Sequence, residues 1–303
     1  MKTPAQHLAA SARLPNLPSV VSNVWLGIAM AAAIHPDAKL SAATTMPVYS
    51  GLLLCLAGNF LNDWADREWD KTHRPERALP RLVFPPSLYL TNSFACMGIA
   101  LVCALASSPQ ASVVCLAIIA SILIYTWSHK KTIWSVIPMG LCRGLLPVLG
   151  FAAIAPHATS AAYLACLGLL IYITGLTLGA RFETLSRIPK PAKLATRALL
   201  VLSPLPLLAA ALGPLGLPAP LAIGALIPVA IWLASTLPGF ARNIPKTVSA
   251  LLAGLPLLDA VILFPLAAGF PADGRLLMMI ASFAIPVITF LAAIRLQRHT
   301  PAT

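Results

Sequence analysis

The sequence predicts an all-α bundle of nine to ten membrane-spanning helices, and this prediction rests on composition, on hydropathy and on the placement of charge. Of the 303 residues, 58% are hydrophobic and 10% are charged, and the mean hydropathy is +0.84. A soluble globular domain carries about 25% charged residues. Water is therefore not the main solvent around this chain.

Ten apolar runs approach the ~20 residues that a helix needs to cross a bilayer. They cover residues 17–35, 46–62, 87–106, 110–128, 133–155, 160–180, 196–213, 217–236, 248–270 and 275–294. No soluble domain or long linker lies between them. We therefore interpret residues 1–303 as a single integral-membrane domain.

Prolines and glycines inside these runs indicate how the helices pack. Many of the 28 prolines lie within a run, which predicts kinked helices around an irregular central cavity. Gly140 and Gly144, like Gly175 and Gly179, have the four-residue spacing that lets membrane helices approach closely. We expect both pairs to join the fifth and sixth helices.

The positive charges predict the orientation. With the N-terminus in the cytoplasm, 18 of the 21 Lys and Arg residues fall in inside regions, Lys39 and Arg275 fall outside, and Arg143 lies within a run. This is the positive-inside pattern of short loops, and it requires an even number of spans. We expect a multi-pass protein of the cell (inner) membrane, with a cavity that opens to the cytoplasm.

The net charge of +12 is then explained by topology and by contact with anionic membrane lipid. A nucleic-acid partner is not expected, because these charges do not gather on one soluble face.

The most informative polar stretch is residues 62–70, where the second run ends. It holds four of the nine Asp and Glu residues, namely Asp63, Asp66, Glu68 and Asp70. On a helix, residues 62, 66 and 70 lie one above another, and residues 63, 66 and 70 share nearly the same face. Carboxylates this close repel one another unless a cation lies between them, and Mg²⁺ prefers such oxygen ligands. Asp63, Asp66 and Asp70 are therefore our candidate metal ligands and catalytic residues.

The alternative interpretation of this stretch is a solvated helix end whose acids pair with Arg67, Lys71 and Arg74. Asn59 and Asn62 argue against it, because they continue the polar face back into the apolar run. Buried amides in that position are typical of a lined cavity.

Two further charges, Arg143 and Asp259, lie in the middle of the fifth and ninth runs. Charges at that depth are costly and usually face a cavity or a partner. One interpretation is a structural ion pair between the two helices. The other is that Arg143 contacts a substrate anion or acceptor while Asp259 orients it or acts as a base.

The acidic stretch also carries a family resemblance. Asn62-Asp63-x-x-Asp66-x-x-x-Asp70, followed by Lys71 and by Arg74-Pro75-x-Arg77, resembles the first aspartate-rich motif of the UbiA superfamily of intramembrane prenyltransferases. Tyr125 with Lys130 and Lys131 is similar to the family's Tyr and Lys pair after its fourth helix.

The resemblance implies a UbiA-type bundle in which Mg²⁺ on the aspartates binds the diphosphate of an isoprenyl donor. It also implies a set of substrate-binding residues, namely Asn59, Asn62, Arg77, Tyr125, Lys130, Lys131 and Arg181.

The chain departs from the family pattern after the sixth run, where the family has a second aspartate-rich motif. Arg181 and Glu183 resemble the Arg-Glu that often opens that motif, but no aspartate follows. Arg181, Glu183 and Arg187 are our further candidates for donor binding, and Arg181, Arg187 and Lys190 would replace part of the role of a second metal. The alternative is that this loop carries only the positive charge expected of an inside loop. The Gly-Leu-Cys-Arg-Gly segment at residues 140–144 and Leu-Leu-Asp-Ala at residues 257–260 resemble a divergent EboC-like branch of the superfamily.

We therefore expect an Mg²⁺-dependent prenyltransferase that uses an isoprenyl diphosphate and an unidentified, lipid-soluble acceptor. The missing second motif keeps open a non-catalytic relative that binds or moves a lipid or small metabolite. A secondary transporter would predict internal repeats, and the sequence contains no convincing repeat.

Overall fold

The computed structural model describes residues 3–38, 41–183, 188–270 and 272–298, and all regular structure in these ranges is helical. The α-helices in chain order are α1 (Pro4–Ser11), α2 (Leu17–Ile34), α3 (Met46–His73), α4 (Pro86–Ser107), α5 (Pro109–Ser128), α6 (Val136–Phe151), α7 (Ser160–Ala180), α8 (Lys190–Leu202), α9 (Pro204–Leu212), α10 (Ala219–Gly224), α11 (Leu226–Thr236), α12 (Ile244–Ala253), α13 (Leu255–Gly269) and α14 (Ala272–Gln297). Two residues named from the sequence, Lys39 and Arg187, lie outside the described ranges.

Ten helical segments within the described ranges are long and apolar enough to cross a membrane, which confirms the ten predicted runs. The chain is therefore a multi-pass, all-helical membrane protein. In three of these segments two α-helices abut directly, at Ser203, Ala225 and Gly254, and the first segment contains both α1 and α2. Pro204 begins α9 and Pro256 lies in the first turn of α13, where a proline removes a backbone donor and crowds the preceding turn.

The apolar core has two main parts that meet along α2. One part joins α2 to α3, α4, α5 and α6, and the other joins it to α7, α9 and the helices from α11 to α13. Most of α2 is buried, as expected of a helix that is apolar on all sides. The central position of α2 places its polar residues, Ser22 and Asn23, in the interior.

Two glycines bring α2 and α6 into backbone contact. A Cβ atom on Gly27 would overlap the carbonyl oxygen of Pro147, and one on Gly150 would overlap that of Val24. Neither glycine can be enlarged unless the helices separate. This crossing fixes α2, which carries Asn23, against the helix that carries Arg143.

The two predicted glycine pairs have different outcomes. Cβ atoms on Gly140 and Gly144 would lie 2.9 and 2.7 Å from backbone oxygens of α7, so this pair joins the fifth and sixth membrane spans as predicted. Gly175 and Gly179 instead face α8 and Phe240. The prediction for this second pair was wrong, because these two glycines lie on the opposite side of α7.

One end of the bundle collects the polar groups, and we call it the polar end. The C-terminal ends of α3, α5 and α7 meet there. Arg13, just after α1, joins them through contacts with α3.

Candidate functional site

A cavity of about 630 Å³ extends from the polar end into the bundle. Its lining at the polar end consists of charged, amide and aromatic side chains, namely Asn62, Asp66, Trp69, Asp70, Arg74, Arg77, His129, Lys130, Arg181 and Glu183. Its inner lining is mainly aliphatic and includes Val20, Leu54, Ile118, Ile122, Leu146, Ile173, Leu176, Val248 and Leu252. The cavity thus suits a ligand with a charged head and an apolar body.

The acidic row on α3 faces this cavity. Asn62, Asp66 and Asp70, each one turn beyond the last, all line it, and Asn59 continues the row inward. Asn59 is held by its amide, which donates to the Ala12 carbonyl oxygen at 2.9 Å. These side chains reach the cavity because α3 continues as a helix to His73, well past the end of its apolar run.

Asp63 is on the flank of that row and is not part of the cavity lining. Its Oδ1 lies 3.2 Å from Arg13 Nη2 and 3.5 Å from Arg77 Nη1. Of the three aspartates expected to hold a metal, Asp63 therefore joins α3 to two arginines, while Asp66 and Asp70 face the cavity.

Asp66 is held by several donors. His129 Nε2 and Lys130 Nζ lie 3.0 and 2.5 Å from its Oδ1, and Asn62 Nδ2 lies 3.4 Å from its Oδ2. The Lys130 ammonium also lies 4.4 Å from the centre of the Trp69 ring. The Lys130 cation thus lies directly against the Asp66 carboxylate and offsets its charge.

Arg77 bridges the acids from the loop after α3. Its Nη1 is 2.9 Å from Asp70 Oδ2 and 3.5 Å from Asp63 Oδ1. Burial alone would lower the pKa of Arg77, but the neighbouring Asp63 and Asp70 carboxylates outweigh it and raise this pKa. The guanidinium therefore remains cationic beside the cavity.

The end of α7 lies on the opposite side of the cavity. Arg181 Nη1 donates to the His129 carbonyl oxygen at 2.6 Å and to Ser135 Oγ at 2.9 Å. Glu183 Oε2 lies 2.6 Å from Arg74 Nη2. The segments that follow α3, α5 and α7 are thus connected around the polar end of the cavity.

The acidic row also offers oxygen ligands for a metal ion. Within the described ranges, no three His, Cys, Asp or Glu side chains converge as a preformed metal site. Asp70 Oδ1 and Asn62 Oδ1 are nevertheless buried oxygens without a hydrogen-bond partner among the described residues. Mg²⁺ typically takes one or two protein carboxylates, with water and substrate phosphates as its other ligands. Asp66, Asp70 and Asn62 fit that donor set.

Arg143 and Asp259 are linked through Asn23 and do not form a direct ion pair. Arg143 lines the inner cavity, whereas Asp259 is fully buried behind the lining. The Asp259 carboxylate accepts hydrogen bonds from Ser22 Oγ and from Asn23 Nδ2, the latter at 2.8 and 2.9 Å. Asn23 Oδ1 lies 3.5 Å from Arg143 Nη1. The ion-pair hypothesis is therefore wrong in its direct form, because the amide lies between the charges.

The structure separates the remaining candidates. Tyr125 lines the cavity, with its ring centre 5.2 Å from that of His129. Lys131 is not part of the lining, and its ammonium lies 4.3 Å from the centre of the Trp127 ring.

Sequence reasoning missed several residues of this site. Trp69, His129 and Arg13 belong to the site but are absent from the candidates that the sequence predicts. The four-residue spacing from Tyr125 to His129 places them on one helix face and could have identified the histidine. No comparable sequence signal connects Arg13 to Asp63, since 50 residues separate them.

Comparison with known proteins agrees with this architecture. The model of the UbiA prenyltransferase family matches residues 20–252. A digeranylgeranylglyceryl phosphate synthase from Thermococcus kodakarensis is 30% identical over 131 residues, which are 43% of this chain and 46% of that protein. Its counterpart from Thermococcus gammatolerans is 29% identical over 130 residues, with the same shares. The chain thus spans about half the length of the curated relatives it matches.

Two solved structures share the fold. A UbiA homologue from Aeropyrum pernix superposes with a TM-score of 0.64 at 16% identity, covering 80% of this chain and 96% of that one. A structure reported for digeranylgeranylglyceryl phosphate synthase gives a TM-score of 0.60 at 16% identity, covering 96% and 99%. At this identity the likeness concerns the fold alone.

Proposed function

The chain belongs to the UbiA prenyltransferase family, and we propose that it transfers an isoprenyl group from a prenyl diphosphate to an acceptor within the membrane. The observation that carries this proposal is the two-part cavity, with acids and bases at the polar end and an aliphatic interior. Its volume of about 630 Å³ lies within the range of small-molecule sites.

The donor's diphosphate would bind at the polar end, where Arg77, Lys130 and Arg181 supply positive charge. Its hydrocarbon tail would extend along the aliphatic lining. Mg²⁺ bound through Asp66 and Asp70, with the free Asn62 oxygen beside them, would stabilise the charge that develops on the diphosphate. Asp63 would act indirectly in this arrangement, by fixing Arg13 and Arg77.

The reaction breaks the bond between the donor's first carbon and the diphosphate oxygen, and the diphosphate leaves with the electron pair. The acceptor nucleophile bonds to that carbon, and the proton it loses passes to the departing diphosphate. Arg77 and Lys130 stabilise the leaving group because their charges are already placed beside it. The aliphatic walls limit the access of water, which would otherwise capture the carbon centre.

We also propose that the acceptor is lipid-soluble and that the cavity opens to the cytoplasm. The name of the relatives describes a lipid product that carries a phosphate, which supports a lipid-soluble acceptor. The concentration of Lys and Arg at the polar end supports a cytoplasmic opening.

A second candidate function is that of a non-catalytic protein that binds or moves a lipid. The pairing of Glu183 with Arg74 favours it, since the Glu183 carboxylate is neutralised within the protein.

The test is binding and turnover of labelled geranyl, farnesyl and geranylgeranyl diphosphate by the purified protein in lipid nanodiscs. We expect Mg²⁺-dependent donor binding and diphosphate release, both abolished by Asp66→Asn. Glu68→Gln is the matched control, because Glu68 is exposed on the same helix and pairs with Lys71. Binding that is unaffected by a chelator and by Asp66→Asn would instead support the non-catalytic candidate.

A further inference from the structure

The Arg143 guanidinium is buried in the middle of α6 with most of its hydrogen-bonding capacity facing the cavity. The residue is 9% exposed and lines the inner part of the cavity. Asn23 Oδ1, at 3.5 Å, is its one hydrogen-bond partner among the described residues. A guanidinium has five N–H donors in a planar fork, so most of them are available to a ligand.

A purely structural role does not account for this placement. A charged side chain at the centre of a membrane span is costly, and such residues usually pair or serve a ligand. The nearby Asp259 carboxylate is occupied by Ser22 and Asn23 and makes no ion pair with Arg143. The protein therefore holds a cation at the cavity wall without a direct anionic partner.

Arg143 lies too deep to contact the group bound at Asp66. Leu146, one turn beyond Arg143 on α6, has its Cδ2 3.3 Å from where a Cβ on Gly51 would lie. Gly51 precedes Asp66 by 15 residues on α3. At 1.5 Å of rise per residue, and allowing for the turn between Arg143 and Leu146, the backbone of Arg143 lies roughly 15–20 Å further into the bundle than that of Asp66.

An apolar tail alone would not suit this inner position. A hydrocarbon chain packed on Arg143 would remove water from the guanidinium and supply no hydrogen bond, which is unfavourable. An oxyanion would satisfy its fork with charge-assisted, bidentate hydrogen bonds.

We propose that Arg143 binds a carboxylate or phosphate group of the acceptor and so fixes the orientation of that substrate. The identification of this ligand as the acceptor rests on the proposed function. The acceptor is then an elongated molecule whose anion lies in the interior and whose nucleophile points toward the polar end. Asn23 and Asp259 are positioning residues, because they hold the guanidinium from behind.

The experiment measures probe binding by calorimetry in nanodiscs, with Mg²⁺ and inorganic diphosphate present to occupy the polar end. The probes are benzoate, phenyl phosphate and the neutral benzamide. We expect Arg143→Gln to weaken binding of the preferred anion by at least about tenfold, as for loss of a hydrogen bond to a charged group, and to leave benzamide binding unchanged. A preference for benzoate identifies a carboxylate acceptor, and a preference for phenyl phosphate identifies a phosphate acceptor.

Two further variants keep the result interpretable. Arg275→Gln is the control, since Arg275 donates to the carbonyl oxygens of Ala32 and Pro36 and does not line this cavity. Arg143→Lys keeps the charge but loses the fork, and we expect it to bind the anion with intermediate affinity even where Arg143→Gln fails to fold. Equal binding of anions and benzamide to the unaltered protein, or anion binding indifferent to both substitutions, would overturn the proposal.

Donor binding measured in the same samples separates this inference from the proposed function. Arg143→Gln should retain Mg²⁺-dependent binding of prenyl diphosphate, because its site lies far from Asp66. Absence of donor binding in the unaltered protein would refute the proposed function, while the anion probes would still report on Arg143.

Discussion

Arg74 and Glu183 are 109 residues apart in sequence, and their side chains meet at 2.6 Å at the polar end of the cavity. Arg74 directly follows α3 and Glu183 lies just beyond α7. Both line the cavity and both are partly buried. The contact therefore joins the two segments between which a diphosphate would have to enter.

This pair predicts opposite effects for its two single substitutions. Arg74→Gln leaves the Glu183 carboxylate unpaired beside an anionic donor, so we expect the Kd for prenyl diphosphate to rise by about tenfold, or ~1.4 kcal/mol. Glu183→Gln leaves Arg74 free to contact the diphosphate, so the Kd should fall severalfold. Equilibrium binding of labelled donor to both variants is the measurement, and a change in the same direction in both would contradict the assignment.

Two adjacent lysines provide a comparison within the site. Lys130 contacts Asp66 and lines the cavity, whereas Lys131 lies over the Trp127 ring outside it. We expect Lys130→Gln to raise the donor Kd by about tenfold or more, because a charge-assisted contact is lost, and Lys131→Gln to change it less than twofold. Donor binding to both variants, measured at constant ionic strength, tests this difference. Equal losses of affinity in the two variants would mean that general surface charge governs binding.

The ten spans could be predicted from the sequence because crossing a bilayer requires long apolar helices, and hydropathy measures that requirement directly. The residues around the cavity were only partly predictable. A helical period of 3.6 puts Asp63 and Asp70 on nearly the same face, so the pattern cannot tell which one reaches the cavity. Asp63 instead contacts Arg13, which lies between α1 and α2 and has a left-handed backbone (φ 48°), and this contact between segments 50 residues apart leaves no trace in the helical period.

Arg143 and Asp259 illustrate the same limit. Their depth and their rarity were visible in the sequence and correctly placed both in the interior. The amide that separates them belongs to Asn23, on a third helix, and an apolar run with one Asn carries no signal for such a contact. Helix packing, which is set by Gly27 and Gly150, decides which polar groups meet.

The different positions of Asp63 and Asp70 lead to a third prediction. Asp63→Asn removes the carboxylate that holds Arg13 and Arg77, so we expect the free energy of unfolding to fall by about 1–3 kcal/mol. Metal-dependent donor binding should persist, since Asp66 and Asp70 remain. Asp70→Asn should instead abolish that binding. Thermal unfolding and donor binding measured on both variants test this division of roles, which fails if Asp63→Asn is the one that removes the metal dependence.

The crossing of α2 and α6 gives the last prediction. A methyl group on Gly27 or Gly150 would collide with a carbonyl oxygen of the opposite helix, and a backbone, unlike a side chain, cannot rotate away. We expect Gly27→Ala and Gly150→Ala each to lower the free energy of unfolding by about 1–3 kcal/mol or more, as overpacking does. Gly98→Ala in α4 is the matched control, because a Cβ there meets no atom within 4 Å, and it should be neutral or slightly stabilising.

The same substitutions also connect packing to the inner cavity. Separation of α2 from α6 would move Asn23 away from Arg143, so the two destabilised variants should bind the preferred anion probe more weakly than Gly98→Ala does. Thermal unfolding and calorimetry on the three proteins provide both measurements. If Gly27→Ala and Gly150→Ala match Gly98→Ala in both, then the close approach of α2 and α6 does not hold Arg143 in place.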